Sequence, residues 1–427
     1  MRAVDEGALQ ACPECRAEIV VDGRFTVWCA ACDWNVDPGQ KDEPVGRLER
    51  VRREMAARHG ERLLDDVSGQ GGESRGLDVF GVLSYGLALA VHAVTLALAA
   101  YGLWLLVTGL GGFGMVGGAL LLLIAWSLRP RLGRLPKDGI VLRRPDAPEL
   151  FGLIDQVGQV VGTRGVDAVV VDADINASVN GLGPRRRMLT LGLPLWSALT
   201  PQQRIALLGH ELGHFVGGDT RHGLVVGSAY RSLALWHHYF APVEATGWLQ
   251  MLTNIAVIPF RLLVGGLLAV LDLLAVRATQ RGEYLADSVA AKAASSEAAA
   301  GLMDRLLVSE SVEINLRREV NARRMGGPAR RRAQDAGQGL WEELAARVGE
   351  IPESEYERRR RVGERRGHSV DSTHPPTHLR RRRLLQGTPL PATVTADPER
   401  EARIAAELAD ARARVARELV RDGLDGH

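Results

Sequence analysis

Cysteine is absent from most of this chain. All four cysteines among its 427 residues lie within the first 32 positions. The first ten residues lack the apolar run and the small-residue cleavage site of a secretory signal, so we expect the N-terminus to remain in the cytoplasm. Disulfides are disfavoured in that compartment. A large charge imbalance is also lacking, and a net charge of +2 gives no reason to expect a nucleic-acid partner.

The four cysteines form two CxxC pairs, Cys12 with Cys15 and Cys29 with Cys32, separated by 13 residues. This spacing is typical of a zinc ribbon, in which two tight turns present four thiolates to one ion. A disulfide pair and a redox CxxC are the alternatives, and no strand-helix pattern supports the second. We predict a structural zinc site in a ribbon spanning residues 1–40, which needs its metal to fold.

Formal charge is missing from residues 79–107, and a second apolar run ends at residue 128. These runs predict a membrane helical hairpin over residues 77–130, joined to the ribbon by a polar linker over residues 41–76. A buried hairpin of a soluble protein is the alternative. Arginines flank the hairpin on both sides and are absent from its turn, so we expect both ends in the cytoplasm.

The region 131–390 mixes helix and strand patterns. Residues 147–161 have helical apolar spacing, residues 168–171 form a predicted strand, and residues 175–182 and 187–191 form a predicted strand pair. The fold predicted for the whole chain is therefore mainly α, with a small β-sheet.

Three further segments have recognisable sequence patterns. Thr200 followed by Pro201 and Gln203 predicts a capped helix start. Residues 224–276 are apolar but interrupted by charge, which leaves open whether they span the membrane or lie on it. Residues 391–427 contain a predicted polar C-terminal helix.

The helix that follows Thr200 carries His210-Glu211-Leu212-Gly213-His214. Residues four apart share a helix face, so His210 and His214 can bind one zinc ion while Glu211 lies beside them as a general base. Zinc lowers the pKa of bound water, and the glutamate takes its proton during attack on a peptide carbonyl. A buried histidine pair in an ordinary helix is the alternative interpretation.

A catalytic zinc needs a third protein ligand. Glu283 and Asp287 lie four residues apart on a second predicted helix, so Glu283 can bind the ion while Asp287 orients a ligand histidine. By itself, this pair would be read as a solvated acidic face.

Four ordered motifs make the chain resemble the integral-membrane zinc peptidases that include bacterial HtpX and the CAAX prenyl endopeptidase. The motifs are Asn176-Ala177-Ser178-Val179-Asn180-Gly181, the HELGH segment followed by Asp219, Arg281-Gly282-Glu283-Tyr284-Leu285-Ala286-Asp287, and Ser372-Thr373-His374-Pro375-Pro376 with Arg380. The resemblance covers about residues 78–386 and implies a gluzincin-type zinc peptidase domain.

The resemblance also implies roles for single residues. Asn176 and Ala177 match an edge strand that aligns the substrate backbone by strand addition. His374 matches a histidine that donates a hydrogen bond to the developing oxyanion. Arg380 is assigned to substrate binding, as an anchor of the edge strand or of the His374 segment, and Asp219 braces the metal-binding helix. A purely structural role is the alternative for both residues.

These observations predict a multi-pass cell-membrane endopeptidase that cleaves membrane-associated or misfolded proteins at the cytoplasmic face and holds one catalytic and one structural zinc. Its expected partners are protein or peptide substrates and the lipid bilayer, and its oligomeric state is left open. The arginine clusters at residues 358–361 and 380–383 are expected to form a solvated or headgroup-facing surface. The alternative function is a catalytically silent zinc-binding scaffold that recruits partners through the ribbon.

Overall fold

A computed structural model describes residues 8–39, 60–61, 64, 79–109, 112–129, 135–136, 139–183, 185–216, 219–243, 247–325, 339–366 and 374–424, with backbone alone for 219–224 and 276–279. The strands are β1 Ala8–Ala11, β2 Glu18–Val21, β3 Ile140–Leu142, β4 Ala168–Asp172, β5 Ala177–Leu182 and β6 Arg186–Gly192. The helices are α1 Val79–Thr108, α2 Phe113–Leu128, α3 Pro148–Val161, α4 Leu193–Ala198, α5 Pro201–Gly213, α6 Asp219–Tyr239, α7 Trp248–Ala294, α8 Ser296–Leu307, α9 Ser309–Met325, α10 Leu340–Gly349, α11 Glu353–Arg366, α12 Thr377–Leu385, α13 Pro398–Glu407 and α14 Ala409–Asp422.

The two apolar runs predicted as a hairpin form α1 and α2, which pack against each other. Gly102 and Gly118 make this contact close, because a Cβ on Gly118 would lie 2.6 Å from the Gly102 carbonyl oxygen. Many large apolar side chains of α1 and α2 are exposed, including Leu96 at 70% and Leu123 at 62%. Within the described residues, α1 and α7 are long and apolar enough to cross a membrane, whereas α2 is shorter.

A four-stranded sheet has the order β3-β4-β6-β5, and its strand β5 contacts α5. β4 and β6 are parallel, and the other two pairs are antiparallel. The strands predicted from the sequence are present, although β5 begins at Ala177, two residues later than predicted. β5 lies at an edge of the sheet because it pairs only with β6. At its start, the Asn176 side chain accepts a 2.8 Å hydrogen bond from the Ala177 N–H.

The predicted capping box at the start of α5 is confirmed. Thr200 Oγ1 accepts a hydrogen bond from the Gln203 N–H at 3.4 Å, and Gln203 Oε1 accepts one from the Thr200 N–H at 3.0 Å. Leu208 and Leu212 of the same helix belong to the main apolar core, which α5 shares with α3, the sheet and α8. The cap and the core together fix the direction in which α5 presents its histidines.

Two glycines let α5 approach α7 closely. A Cβ on Gly213 would lie 2.7 Å from Val289 Cγ2 and 2.8 Å from Ala286 Cα, and one on Gly209 would lie 3.0 Å from Ala290 Cα. Such distances are shorter than ordinary van der Waals contact. The absence of a side chain at these positions therefore allows the helix carrying His210 to lie against the helix carrying Glu283.

The C-terminal region and the arginine clusters differ from the predictions. The predicted C-terminal helix is two helices, α13 and α14, joined at Leu408. Arg358 and Arg380 are only 5% and 3% exposed, so the prediction of a solvated or headgroup-facing surface is wrong for them. A buried guanidinium needs acidic partners, and Arg358 donates two hydrogen bonds of 2.7 Å to Glu355.

Candidate metal centres

Helices α5 and α7 bring His210, His214 and Glu283 together. The Nε2 atom of His210 lies 3.5 Å from Glu283 Oε2, and the Nε2 atom of His214 lies 3.7 Å from Glu283 Oε1. One ligand atom from each residue falls within 4.8 Å of the others. Zinc bonds of about 2.0–2.2 Å in a tetrahedral site separate ligand atoms by about 3.3–3.6 Å. The three side chains therefore fit one small divalent ion.

A second row of side chains lies behind the ligand atoms. Asp287 Oδ1 is 3.0 Å from His210 Nδ1, and Arg380 donates from Nε and Nη2 to the two Asp287 oxygens at 2.8 and 2.7 Å. With Nδ1–H directed at Asp287, His210 presents the Nε2 lone pair on the side of Glu283. Arg380 Nη2 also lies 3.4 Å from Glu283 Oε2, so it touches both acidic groups.

The charge of the centre also suits a cation. Glu211, Glu283 and Asp287 are 7%, 3% and 1% exposed, and Arg380 is a buried cation in contact with two of them. Glu283 and Asp287 share the single Arg380 guanidinium, so the carboxylates exceed the guanidinium by at least one negative charge whether or not Glu211 is protonated, and this surplus is costly in a low-dielectric interior. A divalent ion at the ligand atoms would balance that surplus.

Burial sets the protonation of the residues on α5. It raises the pKa of Glu211 to about 7, a value at which a carboxylate can exchange protons near neutral pH. It lowers the pKa of His214 to about 4, with a further contribution from His210, so His214 is neutral and can bind a metal. For His210, burial opposes the charge, but the hydrogen bond to Asp287 raises its pKa overall.

His374 approaches the centre from the segment that precedes α12. Its Nδ1 atom lies 2.8 Å from Glu283 Oε2, and its side chain is 37% exposed. The protein thus places a partly exposed histidine beside a buried carboxylate that can bind the metal. A group in this position can interact both with the metal ligands and with a molecule that enters from solvent.

The edge strand β5 contacts α5, the helix that carries the histidines. Ala177 pairs with Leu191 of β6, and the Gly192 N–H donates a 2.9 Å hydrogen bond to the Asn176 carbonyl oxygen. Asn176 therefore faces β6 with its backbone, and the alternate residues Ala177 and Val179 direct their backbone groups to the open edge. An extended peptide could pair with that edge.

The remaining predicted residues divide into two groups. Arg380 was assigned to substrate binding, but it is 3% exposed and contacts Asp287, His210 and Glu283, which places it behind the ligands. The position of Arg380 in the sequence carried no signal of this contact. Asp219 begins α6, but its side chain lies outside the described residues. Ser372 and Thr373 of the His374 motif also lie outside them.

The four cysteines form a second candidate metal centre. Their sulfur atoms lie within 4.8 Å of one another, with 3.7 Å between Cys12 and Cys32 and 3.5 Å between Cys15 and Cys29. A tetrahedral zinc with Zn–S bonds of about 2.3 Å places its thiolates about 3.8 Å apart. The cysteine cluster therefore fits a zinc ion, as the sequence spacing predicted.

The two CxxC turns repeat one backbone design. The Cys12 N–H donates to the Ala17 carbonyl and the Cys29 N–H to the Trp34 carbonyl, at 2.8 and 3.0 Å. Each turn is followed by a residue of positive φ, Arg16 at 67° and Asp33 at 59°. This conformation turns the chain back sharply after each pair, so that both sulfur atoms of a turn point to one side.

The fold is mainly α-helical with a small sheet, and it holds a His-His-Glu cluster that is backed by an acid. These features define a class, the helical metalloproteins with a His-His-Glu candidate metal site. A sequence model of peptidase family M48 matches residues 153–387, more than half of the chain, and the protein belongs to that family. The resemblance found from the motifs is thus confirmed at the level of the family. Comparison with curated proteins and with solved structures gave no match.

Family membership supports a metallopeptidase function, and M48 peptidases are generally zinc-dependent. The matched segment includes α5, the Glu283 part of α7, and α12, so it contains all the candidate ligands of the His-His-Glu centre. The cysteine cluster lies outside it. The family match therefore supports the His-His-Glu centre only. The cysteine centre is supported by the distances between its sulfur atoms.

Proposed function

We propose that the protein is a membrane-bound, zinc-dependent endopeptidase that cleaves membrane-associated or misfolded proteins at the cytoplasmic face. The convergence of His210, His214 and Glu283, with Glu211 beside them, is the observation that supports this most. The proposed organisation is a zinc ribbon at 1–40, a linker at 41–76, a membrane hairpin at 77–130, a peptidase domain at 131–390 and a C-terminal helical region at 391–427.

Each residue of the centre has a distinct chemical role in this proposal. His210, His214 and Glu283 would hold a zinc ion, which when bound would act as a Lewis acid toward water and a peptide carbonyl. Glu211 accepts the proton of the attacking water and passes it to the leaving amine, which its pKa of about 7 permits. His374 donates a hydrogen bond to the oxygen that becomes negative as the carbonyl is attacked.

Substrate alignment is assigned to the open edge of β5. The Ala177 carbonyl and the backbone groups of Val179 would pair with an extended substrate segment, so recognition depends more on extended conformation than on particular side chains. Asn176 ends this edge, where its side chain already holds the Ala177 N–H. Arg380 acts differently from the sequence-based assignment: with Asp287, it positions His210.

The membrane association rests on α1 and α7, the described helices long and apolar enough to span a bilayer. Most of their large apolar side chains are exposed, as expected for a lipid-facing surface, with Leu262 at 70% and Leu263 at 61% as examples. The arginine distribution around α1 and α2 favours cytoplasmic ends. The catalytic centre would then lie on that side.

The deciding experiment compares wild type with Glu211→Gln, using full-length protein in liposomes that contain a model membrane protein substrate. Each should hold about two zinc ions per chain, whereas proteolysis should fall by about 10²–10⁴-fold in the variant, since glutamine cannot accept the proton. Glu297→Gln, at an exposed position on α8, is the matched control and should cleave like wild type. Cleavage by Glu211→Gln at the wild-type rate would eliminate the peptidase and favour the scaffold.

A further inference from the structure

The cysteine module, residues 8–39, lies against the arginine-rich helix α11. Asp33 forms ion pairs with Arg361 at 2.6 Å and Arg365 at 2.8 Å, and Asp37 receives two hydrogen bonds from Arg366 at 2.8 and 2.6 Å. Single exposed ion pairs contribute little, but a network that includes the nearly buried Asp37 is more specific. The acids of the module and the bases of α11 therefore form a complementary interface.

Buried contacts lie beneath these ion pairs. Arg358 donates a 2.8 Å hydrogen bond to the Val36 carbonyl, and both partners are almost completely buried. Trp28, Val36 and Val362 form an apolar cluster of their own, with the Arg361 guanidinium 5.1 Å from the centre of the Trp28 ring. Burial of an aromatic ring and of a charge-assisted hydrogen bond indicates a defined docking geometry.

Helix α11 is in turn tied to α12, the helix that carries Arg380. The Asp304 carboxylate of α8 receives two hydrogen bonds of 2.9 Å from Arg360 of α11 and forms a 2.7 Å ion pair with Arg381 of α12. Gly363 of α11 lies against His378 of α12, where a Cβ would be 3.6 Å from the ring. A shift of α11 would therefore disturb the residue that follows Arg380.

A second contact from the N-terminal region reaches the same place. Leu64 is 2% exposed and forms an apolar cluster with Tyr284 and Leu379, which are 0% and 3% exposed. Tyr284 follows the ligand Glu283 directly, and Leu379 precedes Arg380. Gly60 is also buried, and a Cβ there would lie 3.3 Å from Leu379 Cδ1.

We propose that the N-terminal region is a positioning element of the peptidase: the cysteine module holds α11, Leu64 holds α12, and together they fix His374 and Arg380 at the metal centre. This inference rests on the proposed function for its effect on catalysis. The contacts form a path from Asp33 to Arg361 of α11, then from the adjacent Arg360 to Asp304, and from Asp304 to Arg381 in the helix of Arg380. Loss of docking should therefore leave both metal sites occupied but reduce the order of α12.

The test uses the full-length protein with Asp33→Asn and Asp37→Asn combined. Asparagine tolerates the positive φ of residue 33, so the backbone of the module is preserved. Hydrogen exchange of the α12 amides, residues 377–385, should accelerate about tenfold or more. Zinc should remain at two ions per chain, and kcat should fall about tenfold with KM within about twofold, since the substrate edge β5 is untouched.

Two further variants examine the other sides of the contact. Arg361→Gln combined with Arg365→Gln removes the two ion pairs of Asp33 without changing the module, and Leu64→Ala removes the second contact. Both should accelerate α12 exchange as well. Glu18→Gln, an exposed acid of β2 outside the interface, is the control and should match wild type. Unchanged α12 exchange in the interface variants would overturn the proposal.

Exchange is measured without catalysis, so this test is separable from that of the peptidase. If wild type cleaves nothing, the proposed function fails, and accelerated α12 exchange still supports the positioning contact. If wild type cleaves and the interface variants cleave equally fast with unchanged exchange, the proposed function stands and the positioning role is rejected. Accelerated exchange with unchanged kcat would also reject the role in catalysis.

Discussion

At the scale of single residues, Arg380 connects the peptidase centre to the protein around it. Its guanidinium binds both oxygens of Asp287, while Asp287 faces His210 Nδ1. All three side chains are buried, so the loss of one charge leaves its partner uncompensated in a low-dielectric environment. Arg380 thus holds Asp287, and Asp287 in turn fixes the orientation of the metal ligand His210.

The first residue-scale prediction is that Asp287→Asn weakens the catalytic zinc site and leaves the cysteine site intact. The amide cannot serve both Arg380 and His210 as the carboxylate does, so zinc affinity should fall by about 10–100-fold. Chelator competition measures the zinc affinity of each of the two sites. Asp155→Asn, which breaks the distant bidentate pair with Arg144, is the matched control and should leave both affinities unchanged. Wild-type zinc affinity in Asp287→Asn would refute the orienting role.

His378 gives a prediction about pH. Burial, with a smaller contribution from Arg382, lowers the pKa of this histidine from 6.5 to about 4. Between pH 6.5 and 4 the unfolded chain binds more protons than the folded one at this position, so stability falls as the pH falls through that window. The full effect is on the order of 1–3 kcal/mol, and it is absent above the unfolded pKa.

Replacement of His378 by Asn should therefore reduce the acid destabilisation. The difference between the melting temperatures at pH 7.5 and pH 4.5 should be smaller for the variant than for wild type in detergent solution. His214 shifts in the same direction, so part of the pH dependence should persist. An identical pH dependence in both proteins would contradict the burial of His378 as its cause.

At the scale of secondary-structure elements, the contact of α5 with α7 determines the geometry of the centre. The ligands belong to separate helices. His214 and Glu283 are 69 positions apart in the sequence. Their approach depends on Gly209 and Gly213, which lie within the HELGH helix and face the α7 backbone. The capping box fixes where α5 starts, but the two glycines decide how near it comes to Glu283.

This contact predicts that Gly213→Ala lowers the affinity of the catalytic zinc site about tenfold or more, although the change leaves every ligand in place. An alanine within a helix normally favours the helix by about 1 kcal/mol, so intrinsic propensity alone predicts the opposite sign. Gly266→Ala on α7, where a Cβ meets nothing within 4 Å, is the matched control. Zinc titration of the two variants distinguishes an increased distance between α5 and α7 from an effect of helix propensity. An unaltered zinc affinity in Gly213→Ala would exclude the increased distance as a cause.

At the scale of the whole molecule, the proposed topology places the turn between α1 and α2 outside the cell and the peptidase region inside. A cysteine at Gly112 should react with a membrane-impermeant thiol reagent in intact cells, because this position opens to its surroundings. Arg143→Cys, at an exposed position just after β3, should react only after permeabilisation. Wild type measures the background from the native cysteines. The reverse pattern would place the peptidase region outside.

The sequence by itself determined the local elements and the identity of the ligand candidates. An uninterrupted apolar run predicted α1, helical apolar spacing predicted α3 and the Thr200 cap predicted the start of α5, while the spacings of the HELGH segment and of the CxxC pairs follow from helix and turn geometry. These features depend on neighbours within a few residues. The sequence therefore predicts these local features without any knowledge of tertiary contacts.

Only the tertiary structure decided which distant residues meet. The contacts of Arg380 with Asp287, of Asp33 with α11, and of Leu64 with Tyr284 each join segments far apart in sequence. No pattern along the chain distinguishes a buried, paired arginine from a solvated one, because both belong to equally charged runs. The physical reason is that burial of charge depends on an acidic partner supplied by another element, and that partner is chosen by the packing of helices rather than by local sequence.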